Sequence, residues 1–464
     1  MSKVEKPLPF IEIMQKKTHE VIDLMSQFGA VDEKGRYLHW HELKRRLPST
    51  VDRVAAWGAI KLARNVVLKK LDLHSENGEP FKLFLPDSCQ HIIHRVEQLT
   101  AQIGARHSST THAENSRYLV ESLMMEEAIS SAQLEGAATT RKVAKEMLES
   151  ERKPKNDDEQ MVLNNYLLMR HSKYTKDEEL TVDLICQFHQ LATFGVKADE
   201  VHPGEVRETD DIFVEGSDGG IAHQPPKAAL LSERLSKLCN FANAKHDGQD
   251  GRQFIHPIIK AIILHFMIGY EHPFNDGNGR TARCLFYWYM LKSGYWAFEY
   301  ISISSLLKKA PVQYGESYLY TETDDYDLTY FVTYQMRIID RAVNGFLEYI
   351  EVRRKEFYEL MAWLDDTGIS KKLNYRQGHL LRKALRNPGR SFSAKEIKHD
   401  YDVSEGTARA DLEKLASMKV LAKTKDGKCY MYISRSDAAE SLKKAKINLG
   451  DIIKITNLSG FHIG

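Results

Sequence analysis

Two strongly apolar stretches with a polar loop between them constrain this chain more than any other feature. Phe254–Tyr270 is apolar on nearly every face (Ile258, Ile259, Ile262, Ile263, Leu264, Phe266, Met267), and Cys284–Leu291 is equally so. A segment that is apolar all round predicts a helix buried on all sides, so both belong in a helical core. The loop between them reads H-P-F-N-D-G-N-G-R-T-A-R from His272 to Arg283. It brings a histidine, a carboxylate, two arginines and two glycines to the place where the two core helices meet. Such groups are costly to desolvate unless a ligand or partner satisfies them. The loop is therefore a candidate site.

Its chemistry can be read residue by residue. Gly277 and Gly279 let the backbone curl and approach a ligand closely. Gly-Asn-Gly-Arg leading into a helix leaves N–H groups unpaired where the helix dipole favours an anion. Arg280 and Arg283, three apart on the first turn, are expected on one face, their planar forks suited to phosphate oxygens. Asp276 is a hard oxygen ligand of the kind magnesium needs when it also holds phosphates. His272 can take a proton near neutral pH, and Phe274 reads as the anchor of the loop. Each part has a plainer reading: His-Pro is usually a turn, a lone Gly-x-Gly says little, and arginines opening a helix are more often solvated or paired with acids. Together they describe phosphate transfer to an acceptor hydroxyl.

The loop resembles the signature of the Fic family, H-x-F-x-(D/E)-G-N-G-R-x-x-R, at every specified position. The resemblance implies a mainly α fold, a Fic-type helical core with a β-hairpin flap. It also implies transfer of AMP from ATP to a Ser, Thr or Tyr hydroxyl of a target protein. His272 would be the base that deprotonates that hydroxyl. Asp276 would hold a magnesium (or manganese) ion bridging the α- and β-phosphates. Gly277, Asn278, Gly279 and Arg280 would cradle phosphates, and Arg283 would grip the γ-phosphate. Doc-type relatives lack Gly-Asn-Gly and use the nucleotide as a phosphate donor, so Gly277 and Gly279 favour nucleotidyl transfer. The alternatives are the same fold using another nucleotide, such as UTP or GTP, and a DNA-binding regulator whose nucleotide site is a sensor. An intact His272 and Asp276 speak against a pure sensor.

Three further segments extend the resemblance. Ser131-x-x-x-Glu135-Gly136, within a helix expected over about 121–137, is similar to the family's inhibitory motif (S/T)-x-x-x-E-(G/N). Its glutamate would pair with Arg283 in the place of the γ-phosphate. Pro203–Pro226 has a β-branched and aromatic centre, then Ser217-Asp218-Gly219-Gly220, which predicts a β-hairpin. It stands where the Fic flap stands, after P-G-x-x-R and before P-P, and a flap docks a target backbone as an added strand. Ile212, Phe213 and Val214 are the candidates for that edge. The family commonly lines its adenine pocket with a Tyr-Tyr pair; here Tyr314 is followed by Gly315. Tyr314 is thus a nucleotide-binding candidate, with ordinary helix packing as the alternative.

Composition bounds the rest. Lys+Arg 65 against Asp+Glu 64 implies no global attraction to nucleic acid or membrane. No apolar run reaches the ~18 residues of a spanning helix, and the opening M-S-K-V-E-K-P-L-P-F lacks the apolar core of a signal peptide. Cys89, Cys186, Cys239, Cys284 and Cys429 are scattered without C-x-x-C spacing, which argues for a reducing cytoplasm and against structural zinc. Most of the 19 histidines are isolated and read as ordinary surface or core residues.

Three domains are expected. Residues 1–115 read as a mostly helical region whose Lys44–Lys70 charge is a solvated face, and residues 116–352 as the Fic domain. Residues 371–434 resemble a winged helix-turn-helix, followed by a C-terminal tail, 435–464. Between Lys371 and Ser434 there are 15 Lys+Arg against 7 Asp+Glu. Gln377–Arg386 and Ser393–Asp400 predict helices, Ser404–Met418 a recognition helix capped by Ser404, and Val420–Thr424 with Lys428–Ile433 a basic wing. Duplex DNA is the partner this implies, with protein docking as the alternative. A homodimer is compatible with the sequence.

Overall fold

The computed structural model describes residues 4–107, 113–149, 152–196, 202–216, 219–386, 389–426, 429–435 and 437–443. It divides into two compact units, Met1–Ala105 with Leu123–Asn344, and Arg106–Ser122 with Gly345–Gly464.

The first unit is helical. In chain order it holds α1 (Phe10–Leu24), α2 (Trp40–Leu43), α3 (Arg53–Val67), the hairpin β1 (Lys69–His74) and β2 (Pro80–Leu83), and α4 (Asp87–His107). The end of α5 (Ala113–Leu134) follows, then α6 (Arg141–Glu149), α7 (Asp157–Tyr174), α8 (Val182–Thr193), and the short hairpin β3 (Val214–Glu215) and β4 (Ile221–His223). After these come α9 (Leu231–Asn243), α10 (Pro257–Glu271), α11 (Asn278–Lys292), α12 (Ser304–Leu307), α13 (Pro311–Thr323) and the beginning of α14 (Thr329–Asp366). Local chemistry sets the helix starts. Asp52, Asn156 and Thr181 accept N–H bonds from the first turns of α3, α7 and α8, while Pro257 opens α10 behind a capping His256; both are favourable N-terminal devices. The apolar α10 and α11 are buried along almost their whole length.

The expected boundary near residue 115 does not separate the amino-terminal region from the helical core, and the Lys44–Lys70 charge is not all solvated. Lys61 and Arg64 of α3 are buried. Lys61 Nζ lies 2.7 Å from Asp324 Oδ1 and 2.9 Å from Asp325. Arg64 donates to the carbonyls of Ala30 and Leu38 and to Tyr330 Oη, with its guanidinium 3.7 Å from the Tyr37 ring centroid. A buried cation needs paired charge and saturated donors, and the segment after α13 supplies them. That requirement fastens residues 1–105 to the core.

In the second unit the order is α15 (Tyr375–Arg386), β5 (Ser391–Ser393), α16 (Ala394–Tyr401), α17 (Glu405–Ser417), β6 (Leu421–Asp426) and β7 (Cys429–Ser434). The strands pair antiparallel in the order β5-β7-β6, with Ser391 opposite Ile433 and Leu421 opposite Ser434. Ser393 and Ser404 cap α16 and α17 through their hydroxyls. Leu380, Leu381, Ile397, Ala408, Leu412, Leu415 and Tyr432 form the core. Strand β5 is absent from the sequence reading; three residues leave too short a pattern to register. The turn at 427–428 and most of the tail, 436 and 444–464, lie outside the described residues.

Candidate active site

The site is assembled where α10 ends and α11 begins. His272 closes α10 in the left-handed region (φ 46°), and Gly277 opens α11 at φ 79°. Between them Phe274 is fully buried, its ring face to face with His189 of α8 at 3.7 Å between centroids. Asn278 Oδ1 accepts the Phe274 N–H at 3.0 Å, and Asn278 Nδ2 donates to the Phe274 carbonyl at 2.7 Å. Its side chain thus braces the loop, where a ligand-facing role is expected from the resemblance. Gly277 is required by its backbone and its neighbours, and Gly279 leaves room for the Glu135 carboxylate. A Cβ on Gly277 would stand 2.7 Å from Thr193 Cγ2, and one on Gly279 would stand 2.3 Å from Glu135 Oε1.

The arginines diverge. Arg280 turns to α8, donating to the Ala192 carbonyl at 2.7 Å and pairing with Asp276 Oδ2 at 2.8 Å. Arg283 turns to the end of α5: Nε donates to Ser131 Oγ at 2.9 Å, and Nη2 pairs with Glu135 Oε1 at 2.8 Å. The expectation of one shared phosphate-facing surface is corrected by these separate partners. Each guanidinium nonetheless keeps a buried nitrogen without a hydrogen-bond partner among the described residues, Arg280 Nε and Arg283 Nη1. Unsatisfied buried donors on two arginines are what an anionic ligand would complete.

Glu135 is not inside the helix. α5 ends at Leu134, and Glu135-Gly136 forms the turn beyond it, with Gly136 at φ 98°. Buried Glu127, two turns earlier, accepts the Ser304 N–H and bonds to the Ser302 and Ser304 hydroxyls of the segment around α12. Lys308 holds Gln133 Oε1 at 2.6 Å. These contacts fix the end of α5 and aim Glu135 across Gly279 at Arg283.

Three histidines that read as ordinary in the sequence build the site. His189 Nδ1 accepts the Gly204 N–H at 2.9 Å, and His189 Nε2 donates to the Asp276 carbonyl at 2.8 Å. His265 Nε2 meets Tyr314 Oη at 2.7 Å, and Tyr314 in turn meets Tyr318 Oη at 3.4 Å. Tyr314 therefore has its hydroxyl engaged behind the arginine. His223, on β4, lies between two acceptors, the Tyr270 carbonyl at 2.8 Å and Glu322 Oε2 at 2.7 Å. It donates from both nitrogens; burial opposes the charge, but the Glu322 carboxylate outweighs it and holds the pKa above the ordinary value. Arg207 of the P-G-x-x-R stretch donates to the His272 carbonyl from Nε and to the Pro273 carbonyl from its backbone N–H, each at 2.9 Å. No periodicity marks such isolated residues, so only the fold reveals them.

The hairpin is shorter than the 203–226 span expected for it. Of Ile212, Phe213 and Val214, only Val214 lies in a strand, and the Ile212 carbonyl accepts from the Gln224 side chain at 3.3 Å. Phe213 is exposed. The turn residues 217–218 lie outside the described residues.

Burial lowers the His272 pKa to about 4, so the ring is neutral at pH 7. Its Nδ1 faces the Gly269 carbonyl at 3.3 Å, which can only accept. The proton therefore sits on Nδ1 and leaves the Nε2 lone pair free. Burial also lowers His189 to about 4 and His265 to about 3. Native protein keeps both neutral, whereas the unfolded chain protonates them below about pH 6.5. Their contribution to stability is intact above that value and is lost as pH falls toward the folded values. We expect stability to fall by about 1.4 kcal/mol per pH unit per histidine between pH 6.5 and 5, above the range of ordinary carboxylates. Denaturant midpoints across that window are the check; a flat profile would show that the two rings are not buried as described.

Residues 179–290 match the Fic/DOC family model. Among curated proteins the chain is similar to the protein adenylyltransferase Fic of Drosophila ananassae, 27% identical over 141 residues, 30% of this chain and 26% of that protein. The Nematostella vectensis protein of the same name is 32% identical over 120 residues, 26% of this chain and 25% of that protein. The chain thus spans about a quarter of the length of these curated relatives. Among solved structures, Fic-1 from C. elegans is 17% identical, covering 74% of this chain and 88% of that chain at a TM-score of 0.47. A Fic family protein from Desulfovibrio desulfuricans G20 is 15% identical, covering 74% and 96% at 0.45. Among the described residues, no helix is long and apolar enough to cross a membrane.

Proposed function

We propose that this chain transfers AMP from ATP to a Ser, Thr or Tyr hydroxyl of a target protein, and that Glu135 holds the reaction down. The carrying observation is the Glu135–Arg283 pair at 2.8 Å over Gly279, next to a neutral His272. In the proposed reaction the target hydroxyl oxygen attacks the α-phosphorus and its proton passes to His272 Nε2. The bond from the α-phosphorus to the bridging oxygen breaks, and pyrophosphate leaves. Arg283, freed from Glu135, would hold the γ-phosphate, and Arg280 with the opening amides of α11 would meet the other phosphates.

Asp276 fits a magnesium or manganese ion of this kind. Its carboxylate is half exposed, with only Oδ2 engaged by Arg280. Among the described residues no group of three or more His, Cys, Asp or Glu could hold a metal alone. One carboxylate plus substrate phosphates and water is the usual magnesium arrangement. When bound, the ion would neutralise charge on the phosphates.

Label transfer tests this reading. ATP labelled at the α-phosphate should mark target or enzyme, and ATP labelled at the γ-phosphate should not; label from the γ-position would indicate phosphate transfer. Labelled GTP and UTP beside ATP decide nucleotide choice.

We also infer that residues 371–434 of the second unit form a winged helix-turn-helix that contacts duplex DNA. Capped helix α17 presents Arg409, with 53% of its side chain exposed, although Glu405 lies 3.1 Å away, and the β6–β7 hairpin would serve as the wing. Full-length protein should retard duplex DNA at low salt, with affinity falling as salt rises. Arg409→Ala should weaken sequence preference more than non-specific binding. No retardation at low salt would favour protein docking.

A further inference from the structure

We infer that His189 is a positioning residue that sets the backbone of the Asp276 loop for the metal and ties it to the Pro203–Arg207 stretch. The inference rests on the proposed reading of Asp276 as metal ligand. A buried histidine is usually a satisfied core residue, and His189, only 1% exposed, could be dismissed as one. Its partners argue otherwise, because all belong to the site. Nε2–H donates to the carbonyl of Asp276 itself, and Nδ1 accepts the N–H of Gly204, in the P-G-x-x-R stretch whose Arg207 holds the His272 carbonyl. The ring face carries Phe274, and its edge would lie 3.2 Å from a Cβ added to Gly277.

One ring thus contacts residues 274 and 276 of the loop and Gly204 of the stretch that precedes the hairpin. No other pairing of ring atoms satisfies both neighbours: the Asp276 carbonyl can only accept and the Gly204 amide can only donate. The same α8 turn also receives Arg280 through the Ala192 carbonyl, and Arg280 holds the Asp276 carboxylate. Asp276 is therefore tethered to α8 twice, through its carbonyl by His189 and through its carboxylate by Arg280. Partners that orient a ligand in this way typically matter 10–100-fold in metal affinity.

The test measures metal directly, by electron paramagnetic resonance of manganese with ATP, in the Glu135→Gly form. His189→Phe keeps the ring stack and loses both hydrogen bonds. It should weaken manganese binding about 10-fold or more, with metal-free ATP binding changed less than about two-fold. His189→Gln can place its amide nitrogen near the Asp276 carbonyl and should recover most of the loss. His189→Asn, which cannot reach that carbonyl, should not. Asp276→Ala is the control. Manganese binding lost in Asp276→Ala but unchanged in His189→Phe overturns the His189 inference alone. Unchanged binding in Asp276→Ala overturns the underlying metal reading instead. If His189→Phe does not fold, equal manganese affinity in the Gln and Asn variants overturns the inference.

Discussion

Replacement of His272 by alanine is expected to lower transfer to target by about 10²–10⁴-fold, the usual cost of removing a general base, while ATP affinity changes little. Among the described residues the ring makes one hydrogen bond, through Nδ1 to the Gly269 carbonyl, and its free Nε2 faces away from that bond. None of the described phosphate-facing groups bonds to it: Arg280 and Arg283 are held by Asp276, Ala192, Ser131 and Glu135. Alanine is poorly suited to the left-handed backbone at φ 46°, whereas asparagine tolerates it. His272→Asn is therefore the companion variant, keeping the loop and losing the base. Both should fail in labelling and retain ATP by calorimetry. Near-normal labelling by the asparagine variant would remove His272 from the role of base. Because its pKa is lowered to about 4 by burial, the acid limb of the transfer rate should fall well below pH 6.5.

The core of this site was legible because its residues are contiguous. His272–Arg283 carries its own pattern, and the flanking apolar stretches identify the helices by composition alone. The pairing of Glu135 with Arg283 followed from the family resemblance, and the structure places the two 2.8 Å apart. The directions of the arginines were not legible. Residues three apart on a helix are neighbours, but which partner each takes depends on packing: α8 offers a carbonyl to Arg280, and α5 offers Ser131 and Glu135 to Arg283. His189, His223 and His265 escaped because each comes from a different part of the chain and looks like a single buried polar residue. Lys61 and Arg64 escaped for a related reason. The acids of Lys61, Asp324 and Asp325, stand more than two hundred residues away, as does Tyr330, which accepts from Arg64, so local charge suggests solvent where the fold supplies buried partners.

Glu135 is the residue on which the proposed inhibition depends. Its side chain is 27% exposed, while that of Arg283 is 2% exposed, so removing the carboxylate takes from a buried guanidinium its ion-pair partner. Such a change destabilises the apo protein, and a γ-phosphate binding in the same place should restore the loss. ATP is therefore expected to raise the melting temperature of Glu135→Gly more than that of wild type. Freed Arg283 would also hold the nucleotide with its α-phosphate in line with the target hydroxyl, and positioning with charge stabilisation does most of the work in this chemistry. Arg283→Ala should not imitate the gain, since it removes the inhibitory contact and the phosphate ligand together, and the double variant should stay weak for the same reason. The decisive measurement is the rate of label transfer from α-labelled ATP with magnesium in wild type, Glu135→Gly, Arg283→Ala and the double variant. The expected result is a gain of about 10-fold or more in Glu135→Gly alone, equivalent to at least about 1.4 kcal/mol of barrier. A Glu135→Gly rate equal to that of wild type would contradict inhibition by this contact.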